Sequence, residues 1–186
     1  ETAAYGQLDR IIAVDLHSSQ EVAVGARMGL ITEVSMARRL LTMAAEEALQ
    51  MEPKRPVAIV FPDEGALKRF ENAAKETFNK LGRAFPVACG QKRRVNSKES
   101  KFLGLSGDVE GLKGARIISF DDEFATGKTN MQSATAVKEQ YGAAEFWAAT
   151  VHGVLCGDAA KILREPAIDR LYITDTIQNF KKPEFA

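Results

Sequence analysis

The sequence predicts an α/β fold: a parallel sheet with helices on both faces. Short β-branched or wholly apolar runs recur along the chain, of which Val57-Ala58-Ile59-Val60-Phe61 suits a strand buried on both faces. Longer segments between them place apolar residues three and four apart, the spacing of helices with one face against a core. Several of the short runs end in polar or charged residues, as strands do where an open sheet collects its ligand.

The elements are expected in this order. Arg10 to Leu16 is a short β-branched run, and Asp15 and His17, two positions apart, share a face if the strand continues. Residues 18–33 have no strong period and contain Gly25 and Gly29, which predicts a connection between two lobes. Ser35 caps a helix to Gln50 with Met36, Leu40, Met43, Ala44 and Ala48 on its apolar face. After Pro53 and Pro56 comes the Val57–Phe61 strand, then the turn Pro62-Asp63-Glu64-Gly65 and a helix with Leu67, Phe70, Ala74, Phe78 and Leu81 on one side, closed by Gly82. Ala84 to Cys89 is a strand, and Gln91 to Lys101 is a basic loop containing Lys92, Arg93 and Arg94. A strand from Ala115 to Asp122, a helix from Thr129 to Tyr141, a strand from Glu145 to Val151, a short helix over 157–164 and a strand from Arg170 to Asp175 complete the chain.

With 186 residues the chain has room for one full domain and part of another. Its 25 basic and 25 acidic residues cancel, so composition gives no bulk attraction to nucleic acid or membrane. Cys89 and Cys156 sit in apolar surroundings and read as buried thiols in a reducing compartment. No apolar run is long enough to span a bilayer and no secretory pattern is present, which makes cytoplasmic the default expectation. Because the chain begins at Glu1 and reaches a strand almost at once, it is expected to be a piece of something longer.

The chemistry is expected in the stretch from Ala115 to Thr129. A strand delivers Asp121 and Asp122, a turn follows, and a helix begins near Thr129. The first amides of a helix have no intrahelical partner and lie at the positive end of its dipole, so a phosphate is a natural occupant. Ionised carboxylates only accept hydrogen bonds, and a sugar diol donates two, so the stretch reads as a sugar-phosphate site. Gly127-Lys128-Thr129 also matches the end of a Walker A loop, but the first glycine of that motif would fall on Asp122, where the loop needs a bare backbone. A solvated turn with chance acids is the other alternative. The basic run after the Ala84–Cys89 strand would bring its cations to the same sheet edge as Asp63 and Asp121.

These motifs, taken together, resemble the ribose-phosphate diphosphokinases (PRPP synthetases). Asp9-Arg10 leading to Val14-Asp15-Leu16-His17 and Gln20, Pro62-Asp63-Glu64-Gly65, Lys92-Arg93-Arg94, Gly107-Asp108-Val109-Glu110-Gly111, Asp121-Asp122, Thr150 with His152, and Thr174-Asp175-Thr176-Ile177 all have counterparts there, in order and over nearly the whole chain. The resemblance implies a type I phosphoribosyltransferase-like fold, with residues 1–33 the remnant of an amino-terminal domain and connection, and residues 34–186 the carboxyl-terminal domain. It implies transfer of diphosphate from MgATP to the 1-hydroxyl of ribose 5-phosphate, with this piece inactive alone, and it implies a homo-oligomer. Asp15, His17 and Asp63 would place Mg2+ with the ATP phosphates, Lys92 and Arg94 would neutralise the diphosphoryl group, and Asp121 and Asp122 would hold the ribose hydroxyls. Thr126, Gly127, Lys128 and Thr129 would hold the 5-phosphate. The chain departs from the synthetase pattern at Ala125, where a third acid is usual, and at Lys128, where a glycine is usual. Ala-Thr-Gly here is closer to PRPP-using phosphoribosyltransferases, which leaves two alternatives: such a transferase, or a non-catalytic homologue that binds phosphate or nucleotide.

Overall fold

The computed structural model describes residues 9–17, 23, 25, 27–94 and 100–179, with the backbone alone at 92–94, 100 and 101. The chain divides into two compact units, residues 1–36 and 37–186. In the first, β1 (Ile11–Val14) pairs in parallel with β2 (Ile31–Val34). The second strand falls inside the stretch expected to be a connection. Its four residues are too few for alternation to stand out, and its partner lies some twenty positions upstream, so pairing rather than local pattern defines it.

The second unit is a six-stranded sheet with helices on both faces, as the sequence predicts. In chain order it contains α1 (Ala37–Gln50), β3 (Val57–Phe61), α2 (Glu64–Leu81), β4 (Val87–Arg94), β5 (Ser100–Gly107), β6 (Arg116–Glu123), α3 (Lys128–Tyr141), β7 (Glu145–His152), α4 (Ala159–Ile162) and β8 (Arg170–Ile173). The strands lie in the order β5-β4-β3-β6-β7-β8. All neighbours are parallel except β5, which returns antiparallel along β4. The expected basic loop over 91–101 is therefore largely a β-hairpin, with Lys92 opposite Phe102, Arg93 opposite Lys101 and Arg94 opposite Ser100. Polar composition suggested a loop, but this end of β4 runs past its pairing with β3 and is held by its ladder to the edge strand β5.

Alternation along β6 sorts the core into two layers. Phe120 packs edge-on against Phe70 of α2, with ring centroids 5.0 Å apart. Ile117 faces the other way, into a cluster with Ala134 and Val137 of α3 and Phe146 and Ala148 of β7. Gly82 takes the left-handed conformation that closes α2, and Gly142 does the same for α3. Cys89 is buried as expected; Cys156 is exposed, because it lies on the turn after β7 rather than within a strand. No helix among the described residues is long and apolar enough to cross a membrane.

A buried cation lies at the amino end of the central strands. Arg116 is fully buried, and its guanidinium forks onto the Glu145 carboxylate at 2.8 and 2.9 Å while donating to the Ala48 carbonyl at 2.6 Å. Arg55 and the Trp147 indole N–H also donate to Glu145, at 3.1 and 3.0 Å, and Arg116 lies over the Trp147 ring. These donors hold the Glu145 carboxyl down at about 2, and the Arg116 hydrogen bonds contribute most. Removing one partner of such a pair strands the other charge, so Glu145→Gln is expected to cost about 3–5 kcal/mol in urea unfolding at pH 7. Because folding lowers this pKa, the stabilisation is present above the unfolded value of 4.5 and fades as pH falls toward 2; the Gln variant should lack that acid-sensitive component.

Candidate functional site

Strand order fixes where a ligand can sit. After β3 the chain moves toward β4, and after β6 toward β7, so the carboxyl ends of these two neighbours flank the switch point of the sheet. Val60 is the register partner of Ser119, which sets Pro62-Asp63 beside Asp121-Asp122.

Each acid is held differently. Asp63 is the N-cap of α2, its Oδ1 accepting from the Ala66 amide at 3.1 Å. Asp122 is buried, 3% exposed, and forms an ion pair with Arg69, two turns into α2. Asp121 is only partly buried, and its Oδ1 accepts the Asp122 N–H at 2.9 Å. Burial, the hydrogen bond to the Asp122 side chain and the negative charges of Asp122 and Asp63 push the Asp121 carboxyl up to about 8. A cation or a hydrogen-bond donor brought beside Asp121 would favour its charged form again.

The turn from β6 into α3 is built for close approach. Phe124 is buried, its N–H donating to the His152 carbonyl at 2.9 Å, while the Leu155 and Cys156 amides donate to the carbonyls of Phe124 and Ala125 at 2.9 and 3.0 Å. Gly127 is the N-cap of α3 at φ 79°, and a Cβ there would stand 2.6 Å from the Phe124 ring. The N-cap Gly127 has no side chain to offer, and the Lys128 amide donates to Thr126 Oγ1 in a long bond of 3.5 Å. A 14-residue helix thus presents its first amides beside the acids. Lys128 and Thr129 are exposed, and Lys128 Nζ lies 3.4 Å from Asp158, so its charge is shared with that carboxylate. Asp122 belongs to β6, so the turn is too short for the phosphate-wrapping loop of a Walker A site.

Asp63, Asp121, Asp122, Thr126, Gly127, Lys128 and Thr129 therefore all lie on one edge of one sheet. Lys92 and Arg94 are on β4, three and five positions beyond Cys89, the register partner of Phe61, so their backbone runs past the same edge by roughly 10–15 Å. Their side chains lie outside the described residues. Gly90 permits this path: a Cβ there would stand 2.2 Å from the Pro62 carbonyl oxygen. Asp15 and His17 belong to the first unit. Asp15 is buried, and its two oxygens accept from Ser35 Oγ and the Met36 amide, each at 2.6 Å; His17 is exposed. Among the described residues no three His, Cys, Asp or Glu side chains converge on a metal position.

Arg69 and His152 were not singled out by role from the sequence. A buried carboxylate needs a partner, and a cation beside the buried Phe70 on the helix leaving the next strand was the signal for Arg69. His152, at the end of β7, shares a hydrogen bond with Thr176 Oγ1 at 2.9 Å.

No protein-family model matches the chain. It is 32% identical over 170 residues to the ribose-phosphate pyrophosphokinase of Hyphomonas neptunium, covering 91% of this chain and 50% of that protein. It is 31% identical to ribose-phosphate pyrophosphokinase 1 of Lactococcus lactis, covering 91% and 48%. Among solved structures, the phosphoribosylpyrophosphate synthetase of Mycobacterium smegmatis superposes with a TM-score of 0.68 at 25% identity, over 92% of this chain and 50% of that one. An adenine phosphoribosyl transferase from Trypanosoma brucei shares the fold, with a TM-score of 0.51 and 13% identity over 74% of this chain. The chain is a homologue of the ribose-phosphate pyrophosphokinases and spans about half the length of the curated relatives it matches.

Two measurements check the site. Folding raises the Asp121 pKa, so the folded protein binds more protons than the unfolded chain between about 3.8 and 8. Stability should fall as pH rises through that window and level off above it, and Asp121→Asn should flatten the fall, read as melting temperatures at pH 5, 7 and 9. Gly127→Ala should lose about 1–2 kcal/mol for the left-handed backbone alone, and more for the overlap with Phe124, in urea unfolding.

Proposed function

We propose that this chain carries the ribose 5-phosphate half of a ribose-phosphate diphosphokinase site. The observation that carries this reading is the sheet's switch point, where Asp63, Asp121 and Asp122 adjoin the amino terminus of α3 with Gly127 as its N-cap, in a homologue of those enzymes. The reaction so proposed joins the ribose 1-hydroxyl to the β-phosphorus of ATP, with AMP leaving.

Phosphate would sit on the Gly127–Thr129 turn, against the first amides of α3 and the Thr126 and Thr129 hydroxyls. Asp121, the less buried of the acidic pair, would accept the ribose hydroxyls. Asp122, committed to Arg69, would fix the strand end beneath it. Lys92 and Arg94 would lie against the diphosphoryl group from the hairpin, an electrostatic task concentrated in the transition state. Mg2+ suits the oxygen donors at this edge as an ion shared between one or two carboxylates and the substrate's phosphates, with Asp63 as the first candidate ligand. When bound it would offset the charge of the transferred group. Asp15, whose oxygens accept from Ser35 and the Met36 amide, and His17 would be the first unit's contribution to placing the ion. The cytoplasm as its compartment and a homo-oligomeric assembly are parts of the same proposal.

Titration calorimetry of the 186-residue chain should show ribose 5-phosphate binding, while an assay with MgATP should show no AMP release. Asp121→Asn should weaken that binding about tenfold, the worth of a hydrogen bond to a charged acceptor. Absence of binding by the folded wild-type chain would defeat the proposal.

A further inference from the structure

One group of polar side chains has no place in the chemistry above. Ser119 Oγ, Thr150 Oγ1, Asn130 Oδ1 and Ser133 Oγ are all buried, and none has a hydrogen-bond partner among the described residues. Four such atoms in one region are costly unless something satisfies them.

The register shows that they share one level of the fold. Asp121 is the partner of Thr150, and Ser119 the partner of Ala148, which lies in the cluster facing α3. Strand alternation turns Ser119 and Thr150 to that same face. Helix α3 leaves the end of β6 and returns to the start of β7, so it runs back over the strands. Its first half, with Asn130 and Ser133, therefore overlies their carboxyl ends. Its later residue Val137 packs lower, in the apolar cluster with Ile117 and Phe146. The core thus changes from apolar to polar one row beneath Asp121, and the change involves both the sheet and the helix.

We propose that Ser119, Thr150, Asn130 and Ser133 form a buried water-binding site, and that its ordered water ties the base of Asp121 and the first turns of α3 into one unit. Three hydroxyls that can donate or accept and one amide oxygen that accepts match a small cluster of waters, each needing two to four polar partners. The water-binding part stands on the fold alone. Positioning of Asp121 for a pentose rests on the sugar-phosphate reading, with Thr150 and Asn130 as positioning residues.

A crystal structure at about 1.5 Å, ordinary for locating water, should show at least one molecule bonded to two or more of the four side chains. Thr150→Val keeps the shape and removes the hydroxyl, and Ser133→Ala removes another without adding bulk. Each should lower the melting temperature by about 2–4 °C. A dry layer, or a rise in melting temperature in both variants, overturns the proposal. For positioning, Thr150→Val should weaken ribose 5-phosphate binding several-fold and Thr150→Ser should restore it. Unchanged binding in Thr150→Val overturns the positioning role even if water is present. A wild-type chain that binds no ribose 5-phosphate defeats the sugar-phosphate reading instead, and leaves the water site to be judged by diffraction and melting.

Discussion

Because β3 and β6 are hydrogen-bonded neighbours that pass the chain on in opposite directions, the turns leaving them diverge and open a crevice at their carboxyl ends. Everything with chemical potential in the second unit is delivered there by a strand. The Asp63 turn arrives from β3, the acidic pair and the Gly127 turn from β6, His152 from β7, and the basic hairpin from β4. None of these residues depends on a long loop to reach its place. Delivery by strand ends suits a reaction that asks mainly for placement and electrostatics.

Charge is handled in opposite ways at the two ends of the sheet. At the amino end Arg116 is sealed inside, matched by Glu145 and stacked on Trp147, and each of its three guanidinium nitrogens donates a hydrogen bond. At the carboxyl end acids are set near acids, with Arg69 answering one of them. The first arrangement is self-sufficient. The second carries excess negative potential whose relief comes from a proton, a cation or a donor-rich ligand, the usual mark of a place where something binds.

Much of this was legible in the sequence, because apolar runs such as Val57–Phe61 and helical spacing such as Phe70-Ala74 report on burial directly. The acids at the ends of β3 and β6 were legible for the same reason, standing out against apolar strands. What stayed hidden was set by partners far away in sequence. β2 is defined by its pairing with β1, and the strand character of Lys92–Arg94 by pairing with β5. That Asp122 is paired with Arg69, 53 positions upstream, is announced by no local pattern. Arg116 likewise is a buried cation completed by Glu145 and Trp147 of β7 and the Ala48 carbonyl of α1, none of which its own strand announces.

The close passage of Gly90 beneath Pro62 has a consequence for how this crevice can evolve. At Gly90 the acidic turn and the start of the basic hairpin approach so closely that a side chain at that position would have to push them apart. Their spacing is thus a fixed mechanical dimension rather than an adjustable one, and a lineage seeking a wider or narrower cleft would have to alter it from the α3 wall instead.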